Sequence, residues 1–202
     1  PIRQNYSHWI GLLLIGMSSE IKSAARIEDE LRWSDLMVQS QLGDVHAYNQ
    51  LLSELGVVIE KYLHANFGNL HNLEDCVQES LLAIHRARHT FDPKRLFRPW
   101  FFTIIHHKTI DLLRRADTYK KAVAAETQLD KAEINHVDLD REIDGERLLF
   151  CLSDEQRSAI TMTKLMGMTT NEASIALGVS ESTLKGRLRR GLNKIKKQWQ
   201  AN

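Results

Sequence analysis

Apolar positions recur at helical spacing along most of the chain, and glycines and prolines mark where the spacing breaks. The stretch 28–65 reads as helical in two pieces. Leu31, Leu36 and Leu42 are the apolar positions of the first, Gly43-Asp44 stops and restarts the pattern, and Tyr48, Leu51, Leu52, Leu55, Ile59, Tyr62 and Leu63 stand at helical spacings up to Gly68-Asn69. A further helix is predicted over 73–89, with Val77, Leu81 and Ile84 inward and Glu74, Asp75, Gln78 and Glu79 on the opposite side. A loop with two prolines and three cations follows at 90–99. Pro99 suits the first turn of the next helix, predicted over 100–115, whose closing arginines suit a C-terminus.

The pattern then fades. Residues 116–146 carry Asp117, Glu126, Asp130, Glu133, Asp138, Asp140, Glu142, Asp144 and Glu146 against Lys120, Lys121, Lys131 and Arg141, with almost no aromatics. They read as a flexible acidic linker with some transient helix. Treated as coil, 116–143 has a root-mean-square span of roughly 26–32 Å and a fully extended reach of at most about 92 Å. Periodicity returns near 147. Ser153 with Gln156, and Thr169 with Glu172, are two capping-box patterns, the first opening a helix that ends at Gly167.

The fold expected is therefore all-α: two small helical domains, 20–115 and 147–202, joined by the linker 116–146. Residues 1–19 are set aside as an extension upstream of the first domain. Within them WIGLLLIGM (9–17) is an apolar run too short for a membrane span of about 20 residues. It lacks a clear small-residue cleavage site, and Met17 is the natural start this reading expects.

Composition narrows the class. At 43% hydrophobic and 26% charged, the chain is an ordinary globular protein able to bury a core. Cys76 and Cys151 are far apart and neither lies in a CxxC, so reduced thiols in a cytoplasmic protein fit best. His85 and His89 are one helical turn apart, but no third ligand is spaced to join them. No metal, cofactor or small-molecule substrate is expected.

The net charge of +1 hides a segregation. In the last module a short helix over 170–177 meets a corner at Gly178, and Ser180 caps a second helix. There Leu184, Leu188, Leu192, Ile195 and Trp199 point inward. The outward arc holds Ser182, Lys185, Gly186, Arg189 and Arg190, with Arg187 at its edge. Short polar groups near the start of such a helix can approach base edges in a major groove, while cations further along hold phosphates. This is a helix-turn-helix pattern.

The segment 90–115 interleaves aromatics with cations, a mixture that suits single-stranded DNA. Trp100, Phe101, Ile104 and Ile105 are assigned to the core. Phe91, Asp92, Lys94, Arg95, Phe97 and Arg98 of the loop, with Lys108, Arg114 and Arg115 of the helix, are assigned to DNA.

At this point the sequence resembles the extracytoplasmic-function sigma factors of bacterial RNA polymerase, over about 35–199. The resemblance rests on GDVHAYNQLL, LEDCVQESLLAIHRARHTFDP and FRPWFFTIIHHKTIDLLRR in the first module, and on LSDEQRSAITMTKLMGMTTNEASIALGVSESTLKGRLRRGLNKIK in the second. It implies a subunit that binds core polymerase and recognises the minus-35 and minus-ten promoter elements. It implies that Asp75, Gln78 and Glu79 dock on the clamp helices of the β′ subunit, and that the β flap is a further polymerase contact. It implies that the 90–98 region captures an extruded minus-ten base and that helix 181–195 reads minus-35. Sequestration by an anti-sigma factor, membrane-bound in some members, is implied as well. The chain departs from the family pattern at Ile105, His106 and His107, the last standing where asparagine is usual, and at Ser174, where alanine is common.

Two other readings compete. A helix-turn-helix regulator acting without polymerase would leave the acidic face 74–79 without a role. A DNA-processing enzyme would need a nucleophile or a metal-binding carboxylate set, and Asp111 has no second acid nearby. The two promoter elements lie about 50–70 Å apart at one and a half to two helical turns. The free chain is therefore expected to be compact or variably arranged, and core polymerase to extend the linker.

Overall fold

A computed structural model describes residues 19–68, 70, 72–127 and 145–200. Among them the regular structure is helical, as the sequence predicts. The first module holds α1 (Ser19–Gln41), α2 (Val45–Phe67), α3 (Leu73–Ala87), a short 3-10 turn (Arg88–Thr90) and α4 (Phe97–Thr127). The second holds α5 (Gly145–Phe150), α6 (Asp154–Ile160), α7 (Thr170–Ala176) and α8 (Glu181–Gln200).

The break between α1 and α2 is local chemistry. Gly43 takes φ +98°, and the Asp44 side chain accepts the amides of His46 and Ala47, satisfying donors that the start of α2 leaves open. Leu51, Leu55, Ile59, Tyr62 and Leu63 of α2 are fully buried, against Trp33, Leu36 and Met37 of α1 and Phe97, Phe101, Phe102 and Ile105 of α4. Two of the apolar positions read in α1 are solvent-facing: Leu31 is 67% and Leu42 84% exposed. Trp33 and Met37 fill the core in their place.

Helix α4 begins at Phe97 rather than 100 and runs on to Thr127, well past the predicted end at 115. Its extension, ADTYKKAVAAET, is rich in alanine and lysine, which favour helix enough to outweigh the acidic character read there as coil. The residues 128–144 of the linker expectation lie outside the described residues, as do residues 1–18.

In the second module both capping boxes form, Ser153 with Gln156 and Thr169 with Glu172. After α6 the helix widens into a π turn over Thr161–Leu165 and stops at Gly167, φ +71°. The two modules share one continuous core, and α4 packs against α7.

Candidate nucleic-acid interface

The α7–α8 pair is built as its sequence requires. Gly178 turns the corner at φ +62°, and Ser180 Oγ accepts the Thr183 amide at 3.2 Å. Ala173, Ala176, Leu184, Leu188 and Ile195 are buried. Gly191 sits so close to α6 that an added Cβ would lie 2.8 Å from Ile160 Cδ1, so α8 is seated directly on α6. Trp199, expected inward, is 44% exposed, because α8 outruns the small module it packs on.

The opposite face of α8 is open. Ser182, Lys185, Arg189 and Arg190 are exposed, and Gly186 and Arg187 are half-buried. The Arg190 guanidinium lies beside Gly186, its Nη1 3.4 Å from where a Cβ would be. Lys185 pairs with Glu181 at 2.8 Å, and Glu181 also accepts the Thr170 hydroxyl at 2.7 Å. These bonds to Lys185 and Thr170 hold the Glu181 carboxyl below the usual carboxylate range. Glu181 thus ties the start of α8 to α7, and it was not among the residues singled out from the sequence.

The loop ahead of α4 divides differently from the sequence expectation. Asp92 organises a tight turn, its Oδ1 accepting the Lys94 amide at 2.9 Å. Asp92, Lys94 and Arg95 are exposed. Phe91 and Phe97 are buried edge to face, centroids 5.4 Å apart, so their rings form core instead of a stacking platform for bases. Arg98 is also inside, at 5% exposure. Its guanidinium lies 4.7 Å from the Trp33 ring centroid, pairs with Asp29 at 3.2 Å, and donates to the Met166 carbonyl at 2.8 Å. Burial pulls Arg98 below the usual arginine range, and Asp29 and Glu30 oppose that pull. Assignment of these three side chains to DNA is corrected for this arrangement. Aromatic anchors and one deeply paired cation look the same in sequence as a nucleic-acid platform.

Of the α4 cations, Arg114 and Arg115 are exposed. Lys108 is largely covered and bonds Glu79 of α3 at 2.8 Å. Asp75 and Gln78 stand exposed beside Glu79. His107 is exposed and bonded to the Thr103 carbonyl. His106 is tucked against the Tyr62 hydroxyl at 2.9 Å, and burial with help from His107 pushes it down to about 4. Among the described residues no group of His, Cys, Asp and Glu is arranged to hold a metal ion. No described helix is long and apolar enough to cross a membrane.

The surfaces are thus a cation-bearing helix face in one module and an acidic helix beside a basic loop in the other. Comparison with known proteins gives this arrangement its class. Residues 51–119 match the Sigma-70 region 2 family and residues 146–195 the Sigma-70 region 4 family. The chain is 31% identical over 169 residues to the ECF RNA polymerase sigma factor SigF of Caulobacter vibrioides, covering 83% of this chain and 94% of that one. The solved structure of CnrH in complex with the cytosolic domain of CnrY is 26% identical, with TM-score 0.63, covering 85% of this chain and 99% of that one. The sigma factor RpoE of Bartonella quintana, solved with the anti-sigma factor NepR, shares the fold at 20% identity and TM-score 0.62, covering 78% and 99%.

This chain belongs to the ECF RNA polymerase sigma factors. It is an RNA polymerase sigma factor, not a helix-turn-helix regulator acting apart from the polymerase.

Proposed function

We propose that the two modules divide promoter recognition as follows. The α8 face of Ser182, Lys185, Gly186, Arg187, Arg189 and Arg190 reads the minus-35 element. The exposed loop residues Asp92, Lys94 and Arg95, with Arg114 and Arg115 of α4, meet the minus-ten element. Asp75, Gln78 and Glu79 dock on the β′ clamp helices, and the second module meets the β flap. Phe91, Phe97 and Arg98 support the loop from beneath.

The observation that carries this reading is the two-sidedness of α8. One helix buries Leu184, Leu188 and Ile195 while presenting Ser182, Lys185, Arg189 and Arg190 outward, after a short capped helix. The protein acts by binding alone, in the cytoplasm where its polymerase works. CnrH is solved in complex with the cytosolic domain of CnrY and RpoE with the anti-sigma factor NepR, which supports a sequestering partner for this chain too.

The test is footprinting of holoenzyme reconstituted from core polymerase and the chain, on promoters selected by sequencing. Protection at both elements supports the reading. The double substitution Asp75→Arg with Glu79→Arg should abolish core binding while leaving the fold intact; unchanged core affinity would overturn the docking assignment.

A further inference from the structure

Helix α4 opens without a cap from its own sequence. Leu96 stands just ahead of Phe97, and an apolar side chain cannot accept the amides that a first turn leaves open. A carboxylate from another helix accepts them instead. Glu30 of α1 takes the Phe97 amide on one oxygen and the Arg98 amide, at 3.2 Å, on the other. Pro99, next in line, has no N–H. Negative charge at this end of α4 is favoured by the helix dipole as well.

The other root of the same loop is held from the same helix. Gln41 Nε2 donates to the Arg88 carbonyl at 2.7 Å and to the Phe91 carbonyl at 3.1 Å, oxygens left over where α3 and its 3-10 turn run out. Glu30 and Gln41 are eleven positions apart. That is about three turns and roughly 16 Å of rise, so they share one face of α1. Between them on that face Trp33 and Met37 are buried, and the Trp33 ring lies 6.0 Å from Phe97. Residues 92–96, strung between the two ties, are all exposed. Both tying residues lie ahead of 51–119, the stretch matched to region 2.

We infer that Glu30 and Gln41 are positioning residues for the promoter, and that α1 sets the shape in which loop 92–96 meets the single-stranded minus-ten element. The inference rests on the assignment of that loop to the minus-ten element above. Neither residue has to touch DNA. Glu30 is only 12% exposed, and the Gln41 amide is engaged by two carbonyls. Their contribution is preorganisation: a loop fixed at both roots is ordered before the strand arrives, so less ordering is left to binding. A loop that spends about a tenth of its time in the binding shape raises the apparent Kd about tenfold.

The test uses holoenzyme made from core polymerase and the full-length Glu30→Ala, Gln41→Met double variant. The probes are a fluorescent single strand carrying the minus-ten element of the footprinted promoter and a duplex carrying only its minus-35 element. A spin-labelled non-natural residue at Leu96 reports loop motion in the free chain. The expected result is about tenfold weaker binding of the single strand, unchanged binding of the duplex, and a more mobile label. Charge alone predicts the opposite sign, because removing a carboxylate beside a DNA-facing loop strengthens binding. Glu30→Gln keeps one acceptor for the two amides and should fall between parent and double variant. Gln41→Met alone keeps the side chain's length without its donor, and should weaken the single strand by about threefold. It serves where the double variant loses its native circular dichroism.

Single-strand affinity that is unchanged or raised in a folded variant overturns the inference. So does a label as immobile as in the parent, or an equal loss on the minus-35 duplex. If parent holoenzyme does not bind the single strand at all, the minus-ten assignment of the loop fails, while the label still decides whether α1 holds the loop in place.

Discussion

Lys108 Nζ lies 2.8 Å from Glu79 Oε2, so a cation assigned to promoter DNA and a carboxylate assigned to polymerase neutralise each other across α3 and α4. The bond to Lys108 holds the Glu79 carboxyl below the usual carboxylate range. If core polymerase takes Glu79, Lys108 becomes available to a phosphate. Glu79→Gln should therefore strengthen binding of single-stranded DNA by the isolated chain. It should also steepen the salt dependence by about 0.7 in log–log slope, one added phosphate contact. Fluorescence anisotropy across a salt series checks this. A Glu79→Gln variant with the parent slope would contradict the coupling.

On α8 the cations and the serine should separate by kind. Arg189→Ala or Arg190→Ala should weaken duplex binding by holoenzyme uniformly across minus-35 sequences and reduce the salt slope by about 0.9 each. Ser182→Ala should leave the slope alone and change which minus-35 variants are preferred. Competition assays on a randomised element distinguish the two behaviours. A sequence-selective loss in both arginine variants would reassign them to base contacts.

The seat of α8 on α6 is tight at Gly191. Gly191→Ala gains helix propensity of up to about 1 kcal/mol but forces a methyl group against fully buried Ile160. Overpacking of this kind costs about 1–3 kcal/mol. The variant should thus be less stable by about 1 kcal/mol, and shortening the neighbour with Ile160→Val should recover part of the loss. Urea denaturation of the four members of the cycle measures the coupling, and additive effects would show that the two positions are independent.

His106 makes stability depend on pH. Its folded value, about 4, lies below the ordinary 6.5, so the unfolded chain binds the proton first. Stability is fully present above about 6.5, falls as pH drops toward 4, and levels off below that. The loss is on the order of 3 kcal/mol. His106→Gln retains a partner for the Tyr62 hydroxyl and should flatten that part of the profile. Thermal denaturation of both proteins between pH 4 and 7 gives the difference, and parallel profiles would place the titration elsewhere.

What the sequence disclosed was local. The capping pairs Ser153–Gln156 and Thr169–Glu172 and the corner at Gly178 could be read directly, because each is settled within a few residues. The outward arc of α8 followed from the spacing of Leu184, Leu188 and Ile195. The burial of Phe91, Phe97 and Arg98 is not legible in the sequence, because a run of rings and cations has no periodicity that tells inside from outside. Their burial depends on Trp33, Asp29 and Glu30, some sixty residues earlier. The inter-module contacts of Arg157 were illegible for a related reason. The Arg157 guanidinium pairs with Asp154 of its own helix and reaches the first module through the Asn66 carbonyl, so no acid in that module announces the contact.

Helix α4 is continuous from Phe97 to Thr127, about 46 Å at 1.5 Å per residue. The tether to the second module therefore leaves from the tip of a stiff rod, not from the rim of the first module. One residue inserted within 116–127 would swing the point of departure by about 100° around the rod axis. Angular phase, as well as reach, is written into the connector of this sigma factor.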